Sequence, residues 1–438
     1  MDLSLRAQDA GRPSPDMALW SILQNLWDPE TNPSGYVNLG VAENTLMHDE
    51  MLSYIHSNLS LKSQNLTYGD GSRRLRAAMA RFLTKQLKPL KTIEPAHVAV
   101  TNGCSSAIEH LSWAFANPGE AFLLGQPYYG MFITDITLRT GVSVVPVAFG
   151  SVDPVSAEAV DKYEQAILES QAKGVKIAGV ILCHPHNPLG RCYPRGAILR
   201  LMALCEKYKI HLVSDEIYAL SVWENNVDEK PAPVDFESAL SIPTEGVMDP
   251  SRLHVVWGMS KDFGSNGIRM GAIVSQHNPT LHAALVPVSL YSSISSLSET
   301  ITASVLEDEE WHTPYLERNK EKLAANYRVA TKWAAENGVP YMPGVNAAFF
   351  LWVDLGAVFR SRNPGVEVDV DEEVMQALLK NKVFLASGKN FGSEVPGWFR
   401  IVFSQDEGYL REGLERIMKA MGGSVSELVE DTKRKLDI

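Results

Sequence analysis

Cysteine is scarce in this chain. Among 438 residues there are four, Cys104, Cys183, Cys192 and Cys205, and no two form a Cys-x-x-Cys pair. A disulfide framework is thereby excluded, and a reducing compartment fits. Excess positive charge is also lacking, since the formal net charge is -12. An acidic surface repels phosphate backbones, so nucleic acid is not an expected partner. No apolar run is long enough to cross a bilayer, so no membrane partner is expected either. Residues 1–20 carry Arg6, Asp9, Arg12 and Asp16 and have none of the apolar centre of a secretory signal. The cytoplasm is the expected location. No Gly-x-Gly-x-x-Gly follows a strand-like run, and no Walker lysine follows a glycine loop. Dinucleotide and nucleoside-triphosphate binding lose support accordingly. Repeats and low-complexity tracts are absent.

What is present is an ordinary globular composition, 45% apolar and 21% charged, over a length that predicts more than one structural unit. From Lys91 onward, strand-like and helix-like segments alternate. Strands are predicted at 97–101, 121–124, 142–147, 177–183, 210–214, 253–257 and 270–274, with helices over 105–116 and 194–207 between them. The run Ile177 to Cys183 is nearly all apolar, as a strand buried on both faces should be. The pattern predicts an α/β fold, a three-layer sandwich with a mostly parallel sheet. From about Ser295, long helices (299–307 and 311–337) lead into a smaller α/β unit with strands near 348–353 and 398–403. The expected domains are an N-terminal arm with part of the small domain (1–60), a large domain (61–300) and a C-terminal small domain (301–438). The proline-rich stretch 224–249 reads as a surface excursion.

Ligands in such sheets bind beyond the carboxyl ends of the strands, and four segments there carry chemistry. Lys261 enters a turn of small residues after the apolar run 253–257, with Arg269 eight residues on. A desolvated lysine becomes a nucleophilic amine, able to form a Schiff base with the aldehyde of pyridoxal phosphate. Arg269 is suited to the phosphate. Thr101-Asn102-Gly103-Cys104-Ser105-Ser106 joins a strand to a helix, where free N–H groups attract phosphate and Ser105 can add a hydroxyl. Simple capping by Ser105 or Ser106 is the plainer alternative. Asp215 ends a strand, three residues before Tyr218, and can hold a protonated ring nitrogen or merely cap a helix. Asn187 lies in His184-Pro185-His186-Asn187-Pro188 and can donate to a ring oxygen. The two histidines lack a third ligand at helical spacing, so no metal is expected. Arg400 sits inside an apolar strand and calls for an anion, a substrate carboxylate or a protein one.

Together these segments resemble the aspartate aminotransferase superfamily, the fold type I pyridoxal-phosphate enzymes, and most closely its branch containing 1-aminocyclopropane-1-carboxylate (ACC) synthase. Val41-Ala42-Glu43-Asn44, Pro127-Tyr128-Tyr129-Gly130, Asn187-Pro188-Leu189-Gly190, Ser260-Lys261-Asp262-Phe263-Gly264 and Pro396-Gly397-Trp398-Phe399-Arg400 follow that branch in order, over about residues 36–420. The resemblance implies Lys261 as the Schiff-base lysine and acid/base, and Asp215 at the pyridine nitrogen. It implies Asn187 and Tyr218 at the ring oxygen, and Cys104, Ser105 and Arg269 at the phosphate. Tyr129 would stack on the ring, Arg400 would bind the α-carboxylate, and Glu43 would face the substrate. Tyr68 would reach the phosphate of a neighbouring subunit, which implies a homodimer with shared sites. Two departures stand out. Gly258 replaces the usual serine three residues before the lysine, and His184 and His186 occupy a loop that in this branch adjoins the substrate.

The implied activity is that of an aminotransferase on an amino-acid-like substrate. A carbon–sulfur β-lyase on a cysteine-derived conjugate in secondary metabolism follows closely, then ACC synthesis. All three share one carbanion at the α-carbon and differ in what leaves. A binding or regulatory protein with a retired site is the rival from another class. The presence of Lys261, Asp215 and Arg400 argues against it.

Overall fold

The computed structural model describes residues 3–11, 15–67 and 72–422. Its centre is a seven-stranded sheet built from β1 (Val98–Thr101), β2 (Ala121–Gly125), β3 (Ser143–Val147), β4 (Ile177–Cys183), β5 (His211–Asp215), β6 (Leu253–Gly258) and β7 (Gly271–Val274). The strand order is β1-β7-β6-β5-β4-β2-β3. Only β7 runs antiparallel to its neighbours. The carboxyl ends of β1, β4, β5 and β6 and the start of β7 therefore share one edge.

Period-two alternation explains the layers. Leu212, Val255 and Trp257 belong to one buried cluster, with Ile198 and Leu201 of α2 (Arg195–Tyr208). Val213 and Val256 belong to the opposite cluster, with Ala107, Ile108 and Leu111 of α1 (Cys104–Phe115). Successive side chains of a strand point to opposite faces, so helices cover both sides and the three-layer sandwich follows. Each fully buried aliphatic side chain contributes roughly 1.5–3 kcal/mol relative to exposure.

A second sheet is antiparallel, with β10 (Trp398–Val402) between β8 (Phe350–Asp354) and β9 (Ala386–Ser387). The arm docks against it. Val37 and Asn38 pair with Val383 and Phe384, and the Val402 N–H donates to the Leu39 carbonyl at 2.8 Å. The long helix α4 (Glu309–Glu336) follows the larger sheet in the chain. No helix among the described residues is long and apolar enough to cross a membrane.

The stretch 224–249 departs from expectation in its second half. Its prolines do break regular structure, yet Ala239, Leu240, Ile242 and Met248 are buried. Asp228 accepts from the hydroxyls of Tyr327 (2.5 Å) and Tyr341 (2.9 Å) and from the Gly344 N–H (3.0 Å). Residues 226, 227, 229–233 and 235 are exposed as expected, while the part from Ser238 to Met248 is packed.

Candidate active site

The shared edge gathers the predicted residues. Lys261 lies in a one-turn helix, α3 (Met259–Asp262), that leaves β6 directly. Its amine donates to the Ala42 carbonyl at 2.5 Å. Burial lowers that amine to about 8, assisted by the Arg400 charge, while Glu43 and Cys104 pull the other way. Asp215, at the end of β5, is buried, and its side chain takes one hydrogen bond, from the Ile217 N–H at 3.3 Å. Burial pushes this carboxyl up to about 7, with Asp135 adding to the rise and Lys261 opposing it. No helix starts at Asp215, so the turn bond to Ile217 leaves a buried carboxylate still short of donors. Tyr218 is buried edge-on against Phe349 and Phe350, at 5.5 and 5.4 Å. Tyr129 is half-buried and lies edge-on to Phe132 at 5.3 Å. Burial raises both phenols, and the charges of Arg400 and Asp215 act on both.

The expected phosphate cup forms where α1 begins. Gly103 turns the chain with φ +82, and no side chain caps the helix, so capping by Ser105 or Ser106 is not what these hydroxyls do. Ser106 donates to the Asn102 carbonyl at 3.1 Å, and Ser105 hydrogen-bonds the Asp135 carboxyl. The Arg269 guanidinium crosses so close to Gly103 that a Cβ there would meet Nη2 at 2.3 Å. A guanidinium and uncapped helix N–H groups thus face one spot, the pairing an anion needs. Gly258 has a physical reason as well. A Cβ on it would meet the Met270 carbonyl at 2.6 Å and the Cys104 thiol at 2.9 Å, so close strand approach excludes the serine of the resemblance. Cys104 is buried, and burial raises its thiol well above the usual range.

Arg400 on β10 is 3% exposed. It donates to the Asn187 amide oxygen at 2.8 Å and to the Gly40 carbonyl at 2.6 Å, between the rings of Phe350 (4.4 Å) and Phe391 (4.8 Å). Its Nε has no partner, and no carboxylate among the described residues pairs with it. Burial lowers even this group, to about 10. The alternative of a structural ion pair is therefore not realised.

His184 and His186 are part of the turn's own packing. Both are buried, and burial lowers them to about 4 and about 3. His184 bridges the Glu237 carbonyl (3.0 Å) and the Tyr193 N–H (3.3 Å), and His186 accepts from the Leu189 N–H at 3.4 Å. These bonds tie the turn to its neighbours. Tyr68 lies outside the described residues. Asp135 was missed by sequence reasoning. It lies on the helix Met131–Thr137, where burial pushes it up to about 6 against the Ser105 hydrogen bond and the Arg269 charge. Phe391 was missed as well. Its only signal is an aromatic in a Gly-rich turn nine residues before Arg400.

The family model for aminotransferase class I and II matches residues 34–417. The chain belongs to this family. A bovine protein (Bos taurus) named 1-aminocyclopropane-1-carboxylate synthase-like protein 1 is 34% identical over 410 residues, covering 91% of this chain and 78% of its own length. The probable aminotransferase gliI of Aspergillus fumigatus is 31% identical over 404 residues, covering 88% and 89%. Among solved structures, a double mutant of Thermus thermophilus aspartate aminotransferase superposes with TM-score 0.72 at 21% identity, over 96% of this chain and 100% of that one. Class I and II aminotransferases depend on pyridoxal 5'-phosphate. Three features of this member of the family fit that cofactor: the under-bonded Asp215, the Arg269 and α1 cup, and the depressed amine of Lys261.

Proposed function

We propose that this class I/II enzyme is an aminotransferase acting at the α-carbon of an amino-acid substrate. The observation that carries the reading is Arg400, a desolvated guanidinium without a protein carboxylate, in the same electrostatic neighbourhood as an amine lowered to about 8. Bound in the cleft, the cofactor supplies an electron sink for the pair left when the α-proton departs. The residues do the rest. Arg400 grips the α-carboxylate with paired N–H groups and orients the α-carbon. The Lys261 amine takes the α-proton and can return it to a neighbouring carbon, which a group near neutrality does well. Asp215 would be the charge partner of the ring nitrogen. Asn187 and Tyr218 would hold the ring oxygen, Tyr129 would support the ring, Glu43 would meet the substrate, and Cys104, Ser105 and Arg269 would hold the phosphate. This set suffices for transamination, in which nothing but a proton and an amino group moves.

Incubation with common amino acids, cysteine conjugates and S-adenosylmethionine tests the reaction. A keto acid with aminated cofactor is the expected outcome. Pyruvate with ammonia would replace the reading with a carbon–sulfur lyase, and a cyclised product with ACC synthesis. Lys261→Ala should abolish the visible absorbance that the cofactor acquires when joined to the lysine. An unchanged spectrum in purified protein would remove Lys261 from its role.

A further inference from the structure

Directly after Lys261 comes a carboxylate that the proposed chemistry leaves unused. Asp262 has no exposed surface. Its Oδ1 accepts from the Ser221 hydroxyl at 2.7 Å. Its Oδ2 accepts from the Leu220 N–H at 3.2 Å and from the Trp257 indole N–H at 3.0 Å. No cation among the described residues lies within ion-pairing distance. A buried carboxyl without a counter-ion costs several kcal/mol relative to water, which an apolar side chain of the same size would avoid. Burial accordingly pushes it up to about 7.

The donors say what the arrangement supplies. Leu220 and Ser221 lie on the turn that leaves β5, the turn that also carries Asp215 and Tyr218. The Ser221 N–H donates to the Tyr218 carbonyl at 3.0 Å. Trp257 lies in β6 itself. The other contacts of the lysine turn come from elsewhere. Asn44 of the arm donates to the Lys261 carbonyl at 3.4 Å, and Tyr315 of α4 donates to the Phe263 carbonyl at 2.9 Å. Among the described residues, Asp262 alone hydrogen-bonds the lysine turn to the β5 turn.

We propose that Asp262 is a positioning residue, bolting the turn of Lys261 to the turn of Asp215 and Tyr218 and so fixing the amine relative to the ring those residues hold. The inference rests on the reading of Lys261 given above. A misplacement of about 1 Å at such a group can cost about a hundredfold in rate. Asp262→Leu keeps roughly the shape but accepts no hydrogen bond, so the tethers from Leu220, Ser221 and Trp257 are all lost. Ser221→Ala keeps the carboxylate and removes one tether, which separates position from charge.

Two measurements on the full-length protein decide it. The first is the rate at which cofactor-free protein captures added pyridoxal phosphate on Lys261, followed by its visible band. The second is affinity for pyridoxamine phosphate, which has no aldehyde and reports the cup alone. Asp262→Leu should slow capture about tenfold or more, and Ser221→Ala about threefold, with pyridoxamine phosphate affinity within about threefold of the parent. Parent-like capture in both folded variants would overturn the proposal, as would an equal loss in both measurements, which marks a merely structural role. Should Asp262→Leu fail to fold, Ser221→Ala combined with Trp257→Phe applies the same criteria. Absence of a visible band in the parent would instead sink the reading of Lys261.

Discussion

Glu216 stands beside Asp215 with one oxygen unserved. Its Oε1 accepts from the Ser214 hydroxyl at 3.0 Å and the Ala239 N–H at 2.8 Å, while Oε2 has no partner. Burial raises the group from 4.5 to about 7. The folded chain thus holds this proton after the unfolded chain has lost it. The stability it contributes is full below about 4.5 and is lost as pH rises through about 7. Glu216→Gln has no such loss. Its stability relative to the parent should therefore rise between pH 5 and 8, on the order of 3 kcal/mol. Denaturant titration of both proteins at the two pH values checks this, and a constant difference would contradict it. At this scale the sequence was legible where one residue clashed with its local pattern. Arg400 in an apolar strand and Lys261 or Asp215 at a strand end announce themselves. Asp135 did not, because a polar residue in a short helix looks ordinary until the fold turns it toward Ser105 and Arg269.

Among elements, the start of α1 carries the sharpest expectation. Gly103→Ala would place a methyl in a backbone conformation that L side chains rarely adopt, and against the Arg269 guanidinium. Affinity for pyridoxal phosphate should fall about tenfold or more, with a stability loss of about 1–3 kcal/mol, read by absorbance titration and thermal melts. Parent-like affinity would move the phosphate elsewhere. Most boundaries were readable to within a residue or two, since Gly103, Pro194 and the apolar run of β4 punctuate the chain locally. The packing of 224–249 was not, because its contacts come from afar in sequence: Tyr327 and Tyr341 hold Asp228, and Glu216 holds Ala239.

For the whole molecule, an apolar surface asks for a cover. Leu66, Leu290 and Tyr291 are each at least 80% exposed. The turn 63–66 is tied to the helix Ser296–Glu307 through Asn65, which donates to Thr300 at 2.9 Å and accepts from Ser296. This places Leu66, two residues before Tyr68, beside the segment that follows Tyr291. A second copy of the chain is the proposed cover, with Tyr68 serving the partner's phosphate cup. Light scattering should find a dimer, and a catalytically competent monomer would contradict the shared site. Arg400 brings a last consequence. Its bonds to Asn187 and Gly40 touch the small sheet, the loop after β4 and the arm with a single side chain. A carboxylate settling there would draw the three together like a hasp, so amino acids should slow proteolytic nicking where the matching decarboxylated amines do not.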